Sequence, residues 1–141
     1  HKIFIFGDGP EKNNILKIIK KYNLDNIFLM GEENDTSNIF NGKSILIHSS
    51  KFEGFGIVIL EAFQHKIAVI SSKYGAMKEA IKNNITGRLY DINDNNSFED
   101  AFYYTIENLE SIQEAGFKSY IEYFNSKRML DDYNNLYQKL I

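Results

Sequence analysis

The chain has 141 residues, a formal net charge of −3 and no cysteine. This length suits one domain with a packed core, and the absence of cysteine excludes disulfides and thiolate metal sites. The acidic balance argues against nucleic-acid binding, which needs clustered Lys and Arg. The longest apolar runs fall far short of the ~20 residues of a spanning helix, so neither a transmembrane segment nor a signal peptide is predicted.

Short apolar runs alternate with amphipathic segments over the first 90 residues, as is typical of βαβ units in a parallel sheet. The pattern predicts strands at 2–6, 27–30, 44–48, 67–71 and 87–90. It predicts helices between them at about 10–22, 36–40, 56–65 and 75–83. Beyond residue 91 the strands stop, and residues 98–141 are predicted to be mainly helical, with later helices at about 111–124 and 126–140. The predicted fold class is therefore α/β, a Rossmann-like parallel sheet flanked by helices, with a helical C-terminal tail.

The most informative segment is the glycine-rich stretch 49–56 together with the helix predicted after it. Gly54 and Gly56 let the backbone turn tightly and approach a ligand, and a helix start offers unpaired N–H groups that suit a phosphate. Two carboxylates, Glu53 and Glu61, flank this anion site, and a carboxylate accepts hydrogen bonds from neutral sugar hydroxyls. Phosphate and sugar together predict a nucleotide sugar as the ligand.

The position of each group predicts its role. Ligands of open α/β sheets bind at the carboxyl ends of the strands, where this loop lies. Glu53 is expected to face the sugar, while Glu61, roughly 7 Å along the helix axis from Gly56, is expected to hold the ribose. Backbone N–H groups are expected to contact the sugar hydroxyls from Gly54, Phe55 and Gly56, and the diphosphate from Ile57 and Val58. His48 ends the preceding strand, and we interpret it as a structural neighbour of the site rather than a ligand.

Two plainer interpretations compete with this one. Isolated glutamates are usually solvated, but the apolar neighbours of Glu61 argue against that, because an unpaired buried carboxylate costs several kcal/mol, on the order of a binding hot spot. A dinucleotide-binding dehydrogenase domain is compatible with the β-α alternation. However, Gly7-Asp8-Gly9 is not followed by a third glycine at the required spacing.

The run Phe52-Glu53-Gly54-Phe55-Gly56, followed by Leu60-Glu61-Ala62, resembles the donor-binding signature of retaining glycosyltransferase family 4. These GT-B-fold enzymes are also known as group 1 glycosyltransferases. Further motifs of the family lie before and after this run, in the expected order along the chain. They are Phe6-Gly7-Asp8-Gly9-Pro10-Glu11, Phe28-Leu29-Met30-Gly31, Val69-Ile70-Ser71-Ser72, Gly75, Glu79 and Thr86-Gly87. The resemblance covers about residues 3–140.

The resemblance implies that residues 1–141 form a single nucleotide-sugar-binding domain, the C-terminal half of a two-domain enzyme. Such an enzyme transfers a hexose-type sugar, with retention, from a nucleotide diphosphate sugar to a glycan or lipid-linked acceptor. In that family Glu53 contacts the hexose during catalysis, Glu61 binds the ribose, and the backbone near Gly31 and Glu32 approaches the base. No metal, other cofactor or enzymic nucleophile is required. The expected setting is bacterial surface-polysaccharide assembly, such as capsule or lipopolysaccharide, in the cytoplasm and at the inner face of the membrane through peripheral association.

The sequence also departs from the family. His65, Lys66 and Ala68 occupy a turn that usually contains glycine and proline, which is expected to loosen the left-handed helix cap. The acceptor domain, the first donor-domain strand and the phosphate-clamping Arg and Lys are expected upstream of residue 1. We interpret Arg88 and Lys73 as surface residues, not as substitutes for that clamp. The chain is thus predicted to be a fragment, inactive alone. The alternative is a catalytically silent nucleotide-sugar-binding or interdomain module.

Overall fold

The computed structural model describes residues 1–140, which divide into two compact units, residues 1–41 and residues 42–140. The first unit contains, in chain order, β1 (Ile3–Phe6), α1 (Lys12–Lys21), β2 (Ile27–Gly31) and α2 (Thr36–Phe40). The second unit contains β3 (Ile45–His48), α3 (Ile57–Gln64), β4 (Ala68–Ser72), α4 (Met77–Ala80), β5 (Arg88–Tyr90), α5 (Asn95–Glu107), α6 (Leu109–Ser119), a π-helix (Tyr120–Phe124) and α7 (Ser126–Gln138).

In residues 1–41, β1 and β2 pair in parallel, with α1 in the connection between them. The register places Phe4 opposite Phe28, and their rings stack with centroids 5.4 Å apart. At the carboxyl end of the pair, the Gly7 N–H donates to the Gly31 carbonyl at 2.6 Å. Gly31 has a positive φ of 77°, a conformation that glycine adopts at little cost.

In residues 42–140, β4 is the central strand, paired in parallel with β3 and with β5. All five residues of β4 are buried, as expected for a strand covered on both faces. Helices α3, α5 and α6 all pack against it. Part of the core joins Ile70 of β4 to Tyr90 of β5 and Ala101 of α5. This buried centre fixes the ends of β3 and β4, from which the loops of the site leave.

The predicted α/β fold is confirmed, since all three strand pairings are parallel and each strand lies within one residue of its predicted bounds. The strands form one sheet in each unit. The described residues after 91 are mainly helical, as predicted, and Ile141 lies outside the described residues. That the chain is one nucleotide-sugar-binding domain stays a prediction.

One helix prediction is wrong in extent, and another predicted helix ends in π-helical form. The helix predicted at 75–83 covers only Met77–Ala80, because Ile81 is extended and the Lys82 N–H donates to the Thr86 hydroxyl at 2.9 Å, closing a turn. Asn84 in this turn has a positive φ of 68°. The helix predicted at 111–124 begins at Leu109 and finishes as the π-helix.

The expectation that the cap of α3 is loosened is also wrong. Lys66 adopts the left-handed conformation, with φ of 54°. Its N–H donates to the Phe63 carbonyl at 3.0 Å and the Ile67 N–H donates to the Ala62 carbonyl at 2.9 Å, which together form a Schellman motif. The Lys66 ammonium also lies 2.5 Å from the Glu114 carboxylate of α6. A lysine therefore closes the turn in which a glycine was expected.

Candidate functional site

Two loops meet at the carboxyl edge of the three-stranded sheet. Loop 49–56 follows β3, and loop 73–76 follows the neighbouring strand β4. They contact each other, since a Cβ placed on Gly75 would lie 3.3 Å from the Glu53 carbonyl oxygen. An open pocket of about 560 Å³ lies between them, lined by Lys51, Phe52, Glu53, Gly54, Tyr74 and Gly75. This is the edge at which open α/β sheets bind their ligands.

Helix α3 begins directly after loop 49–56. Gly56 has φ of 74°, a left-handed conformation that a side chain disfavours, and an added Cβ would lie 3.2 Å from Ile59 Cδ1. The Ile59 N–H donates to the Gly56 carbonyl at 2.9 Å. The N–H groups of Ile57 and Val58 have no backbone acceptor among residues 1–140. They lie at the positive end of the helix dipole and can bind an anion.

Glu53 lies at the edge of this pocket with 37% of its side chain exposed. Its Oε1 is 3.4 Å from His48 Nε2, and the His48 side chain is only 12% exposed. The other ring nitrogen, Nδ1, is 3.3 Å from the Ser71 hydroxyl of β4. The structure thus brings His48, predicted as a neighbour of the site, into contact with Glu53, which is predicted to face the sugar.

Glu61 lies on α3 and is half-buried. The residues after it, Ala62 and Phe63, are fully buried, so its surroundings are as apolar as the sequence indicates. Its carboxylate has no hydrogen-bond partner among residues 1–140. Both oxygens can therefore accept from a ligand hydroxyl.

Three predicted residues of the site remain: Phe55, Gly31 and Glu32. Phe55 turns its ring toward Phe124 of the π-helix, with centroids 6.1 Å apart. Gly31 ends β2 and Glu32 is exposed just after it, both in the unit of residues 1–41. Their approach to a nucleotide base stays a prediction.

The two cations weighed as phosphate ligands have partners inside residues 42–140. Lys73 Nζ lies 2.7 Å from Asp91 Oδ2, and the Tyr74 hydroxyl donates to Asp91 Oδ1 at 3.1 Å. The hydrogen bond from Lys73 is the main cause that lowers the pKa of Asp91 to about 2. The Arg88 guanidinium lies 4.6 Å above the ring of Tyr104. Lys73 therefore stabilises the loop beside the pocket.

Residues 1–140 contain no group of three metal-ligating side chains close enough to hold an ion. Independence from metals stays a prediction. In the same range, every helix is too short or too polar to cross a lipid bilayer.

A family model described as "Glycosyl transferases group 1" matches residues 1–120. The chain belongs to the group 1 glycosyltransferases. This membership confirms that the motif in loop 52–56 and the helix after it belongs to a group 1 glycosyltransferase, whereas family 4 and retention stay predictions.

Individual relatives agree with this family. The chain is 25% identical over 144 residues to N-acetyl-alpha-D-glucosaminyl L-malate synthase of Bacillus anthracis. It is 28% identical over 142 residues to poly(ribitol-phosphate) alpha-N-acetylglucosaminyltransferase of Staphylococcus aureus (strain COL). These matches cover 99% and 96% of the chain but 38% and 29% of the relatives, so the chain spans well under half of their length.

A solved structure supports the fold. Anabaena Alr3699/HepE in complex with UDP-glucose superposes with a TM-score of 0.85 at 18% identity, over 98% of this chain and 41% of that one. The fold of this group 1 glycosyltransferase chain is thus that of the GT-B glycosyltransferases, with parallel sheets flanked by helices.

Proposed function

We propose that the chain is the donor-binding part of a retaining family 4 glycosyltransferase that uses a UDP-hexose or UDP-N-acetylhexosamine. The observation that carries this proposal is the arrangement around the start of α3. There the N–H groups of Ile57 and Val58, which have no backbone acceptor among the described residues, are flanked along the chain by two carboxylates, Glu53 in the loop and Glu61 on α3. UDP as the nucleotide is supported by the structural neighbour in complex with UDP-glucose.

In the proposed complex the groups divide the donor between them. The N–H groups of Ile57 and Val58 hold the diphosphate at the helix N-terminus, where the dipole favours negative charge. Glu61 accepts hydrogen bonds from the ribose hydroxyls, and Glu53 accepts one from the sugar. The leaving diphosphate itself assists deprotonation of the acceptor, so neither carboxylate has to act as a nucleophile. No metal takes part in this proposal.

We infer that the acceptor and the cations that neutralise the diphosphate are bound by another part of a longer enzyme. The uncovered length of the relatives supports this inference. The acceptor is proposed to be a glycan or lipid-linked glycan of a bacterial surface polymer, in keeping with the poly(ribitol-phosphate) relative. The proposed location is the cytoplasm, at the inner face of the membrane. A catalytically silent binding module is the alternative, favoured by the engagement of Lys73 and Arg88 in other contacts.

Calorimetric titration tests the donor role. UDP, UDP-glucose and UDP-N-acetylglucosamine are titrated into the wild type and into Glu61→Ala, with ADP and GDP as tests of the base. Losing hydrogen bonds to a carboxylate should weaken UDP binding by about tenfold or more. Glu99→Gln, an exposed glutamate on α5, is the matched control and should bind as the wild type does. The proposal fails when no nucleotide binds, or when Glu61→Ala leaves the affinity unchanged.

A further inference from the structure

The His48 ring lies between a buried strand and the pocket. On the strand side, Nδ1 is 3.3 Å from the hydroxyl of Ser71, a residue with no exposed surface. On the pocket side, Nε2 is 3.4 Å from Glu53 Oε1. The ring is largely buried, whereas Glu53 is more than a third exposed. A partly exposed carboxylate is thus in contact with a largely buried imidazole.

The two neighbours determine where the ring carries its proton. A carboxylate oxygen beside Nε2 is stabilised by a proton on that nitrogen. In a neutral ring Nδ1 is then an acceptor, and the Ser71 hydroxyl is the donor placed to serve it. The same hydroxyl lies 3.3 Å from the Ser72 carbonyl, to which it can donate when both ring nitrogens are protonated. Ser71 therefore accommodates either form of His48, and in both forms a proton on Nε2 lies beside Glu53 Oε1, 3.4 Å away.

We propose that His48 is a positioning residue that, supported by Ser71, holds Glu53 in its sugar-binding orientation before the donor arrives. His48 engages Oε1 and leaves Oε2 to accept from a sugar hydroxyl. Ordering a glutamate side chain in a loop costs conformational entropy, and a contact that orders it beforehand removes this cost from the binding step. The inference rests on the proposed function, since it assigns His48 to the sugar half of the same site.

The binding test compares a donor with its sugar-free counterpart. UDP-N-acetylglucosamine and UDP are titrated into the wild type, His48→Phe and His48→Gln. Phenylalanine fills the space without donating, so it should weaken UDP-N-acetylglucosamine binding by about five- to tenfold and leave UDP binding unchanged. Glutamine supplies an N–H at about the distance of Nε2 and should restore most of the affinity.

A purely structural role for His48 gives a different result. Equal losses for both ligands, together with a lowered melting temperature, would overturn the proposal. So would a full loss in His48→Gln, or wild-type affinity in His48→Phe. The Glu61→Ala variant should weaken both ligands alike, which separates a failure of the nucleotide site from a failure of the sugar contact.

A second measurement needs no ligand. Long-range ¹H–¹⁵N NMR on the wild-type chain at pH 8 reports which ring nitrogen of neutral His48 carries the proton. The contact is supported when the wild type carries the proton on Nε2 and Glu53→Gln shows a mixture of the two tautomers. A proton on Nδ1 in the wild type overturns the proposal, even where neither nucleotide binds and the proposed function fails.

Discussion

The two loops that border the pocket are fixed in different ways. In loop 73–76, Lys73 and Tyr74 both bond to Asp91, and the Asn93 side chain donates to the Tyr74 hydroxyl at 2.9 Å. Among the described residues, loop 49–56 lacks such a shared cluster, and its contacts are separate: the buried Ser72 hydroxyl donates to the Ser50 carbonyl, the Ser50 hydroxyl donates to the Phe52 carbonyl, and His48 approaches Glu53. Loop 73–76 is therefore the braced loop of the pocket, held by these side-chain hydrogen bonds. Loop 49–56 is the exposed loop and has unpaired polar groups.

This difference indicates that the two loops have different roles. The braced loop satisfies its polar groups internally and offers the pocket mainly backbone and the Tyr74 ring. The exposed loop leaves Glu53 Oε2 and the N–H groups of Ile57 and Val58 available, which suits groups that must exchange water for a ligand. The groups proposed to bind the donor therefore lie on loop 49–56 and at the helix start after it, while loop 73–76 contacts the backbone of that loop through Gly75.

The largest effect is expected where the two loops touch. Gly75 has a positive φ of 71°, and an added Cβ would lie 3.3 Å from the Glu53 carbonyl oxygen. Gly75→Ala should lower the free energy of unfolding by about 2 kcal/mol, because a left-handed alanine is strained and the contact is tight. Urea unfolding monitored by circular dichroism measures this loss.

Gly54→Ala in the opposite loop is the matched control. An added Cβ there meets no atom within 4 Å among the described residues, and the φ of Gly54 is not left-handed. Its effect should stay within about 0.5 kcal/mol. Equal losses in both variants would show that the contact between the loops does not constrain them.

The fold was predictable because β4 and its neighbours carry continuous apolar runs bounded by turn residues. The start of α3 was also predictable, since Gly54 and Gly56 precede an apolar helix. The intact cap of α3 was not, because the left-handed residue is Lys66, whose side chain is held by Glu114, 48 residues later. Long-range contacts of this kind leave no local signal in the chain.

For the site, the sequence supplied candidate residues but not their contacts. Glu53 and Glu61 stand out by type and spacing, and their roles stay predictions. The approach of His48 to Glu53 depends on the path of loop 49–56 and on the register that sets His48 beside Ser71. Neither the loop path nor a side-chain rotamer follows from apolar periodicity, which explains why this contact was missed.

A smaller effect is expected from the hydrogen bond that joins Ser72 of β4 to Ser50 in the exposed loop. Ser72→Ala removes the hydroxyl that donates to the Ser50 carbonyl and should cost about 1 kcal/mol of unfolding free energy. Ser50→Ala removes a more exposed bond, from the Ser50 hydroxyl to the Phe52 carbonyl, and should change stability by less than about 0.5 kcal/mol. Urea unfolding compares the two. If both variants lose the same unfolding free energy, the hydrogen bond from Ser72 to Ser50 does not anchor the loop.

The smallest effect at neutral pH is expected in the braced loop, because solvent screens the pair between Lys73 and Asp91. The pKa of Asp91 is lowered from 3.8 to about 2, so the ionised carboxylate favours the folded state. This stabilisation is complete above pH 3.8 and is lost as the pH falls toward 2. The melting temperature of Asp91→Asn should therefore lie below that of the wild type at pH 6, and the gap should narrow progressively below pH 4. In the Lys73→Met background, Asp91→Asn should lower the melting temperature by less than it does in the wild type, because Lys73→Met has already removed the pair with Asp91. A gap that stays constant with pH would contradict the bracing role of Asp91.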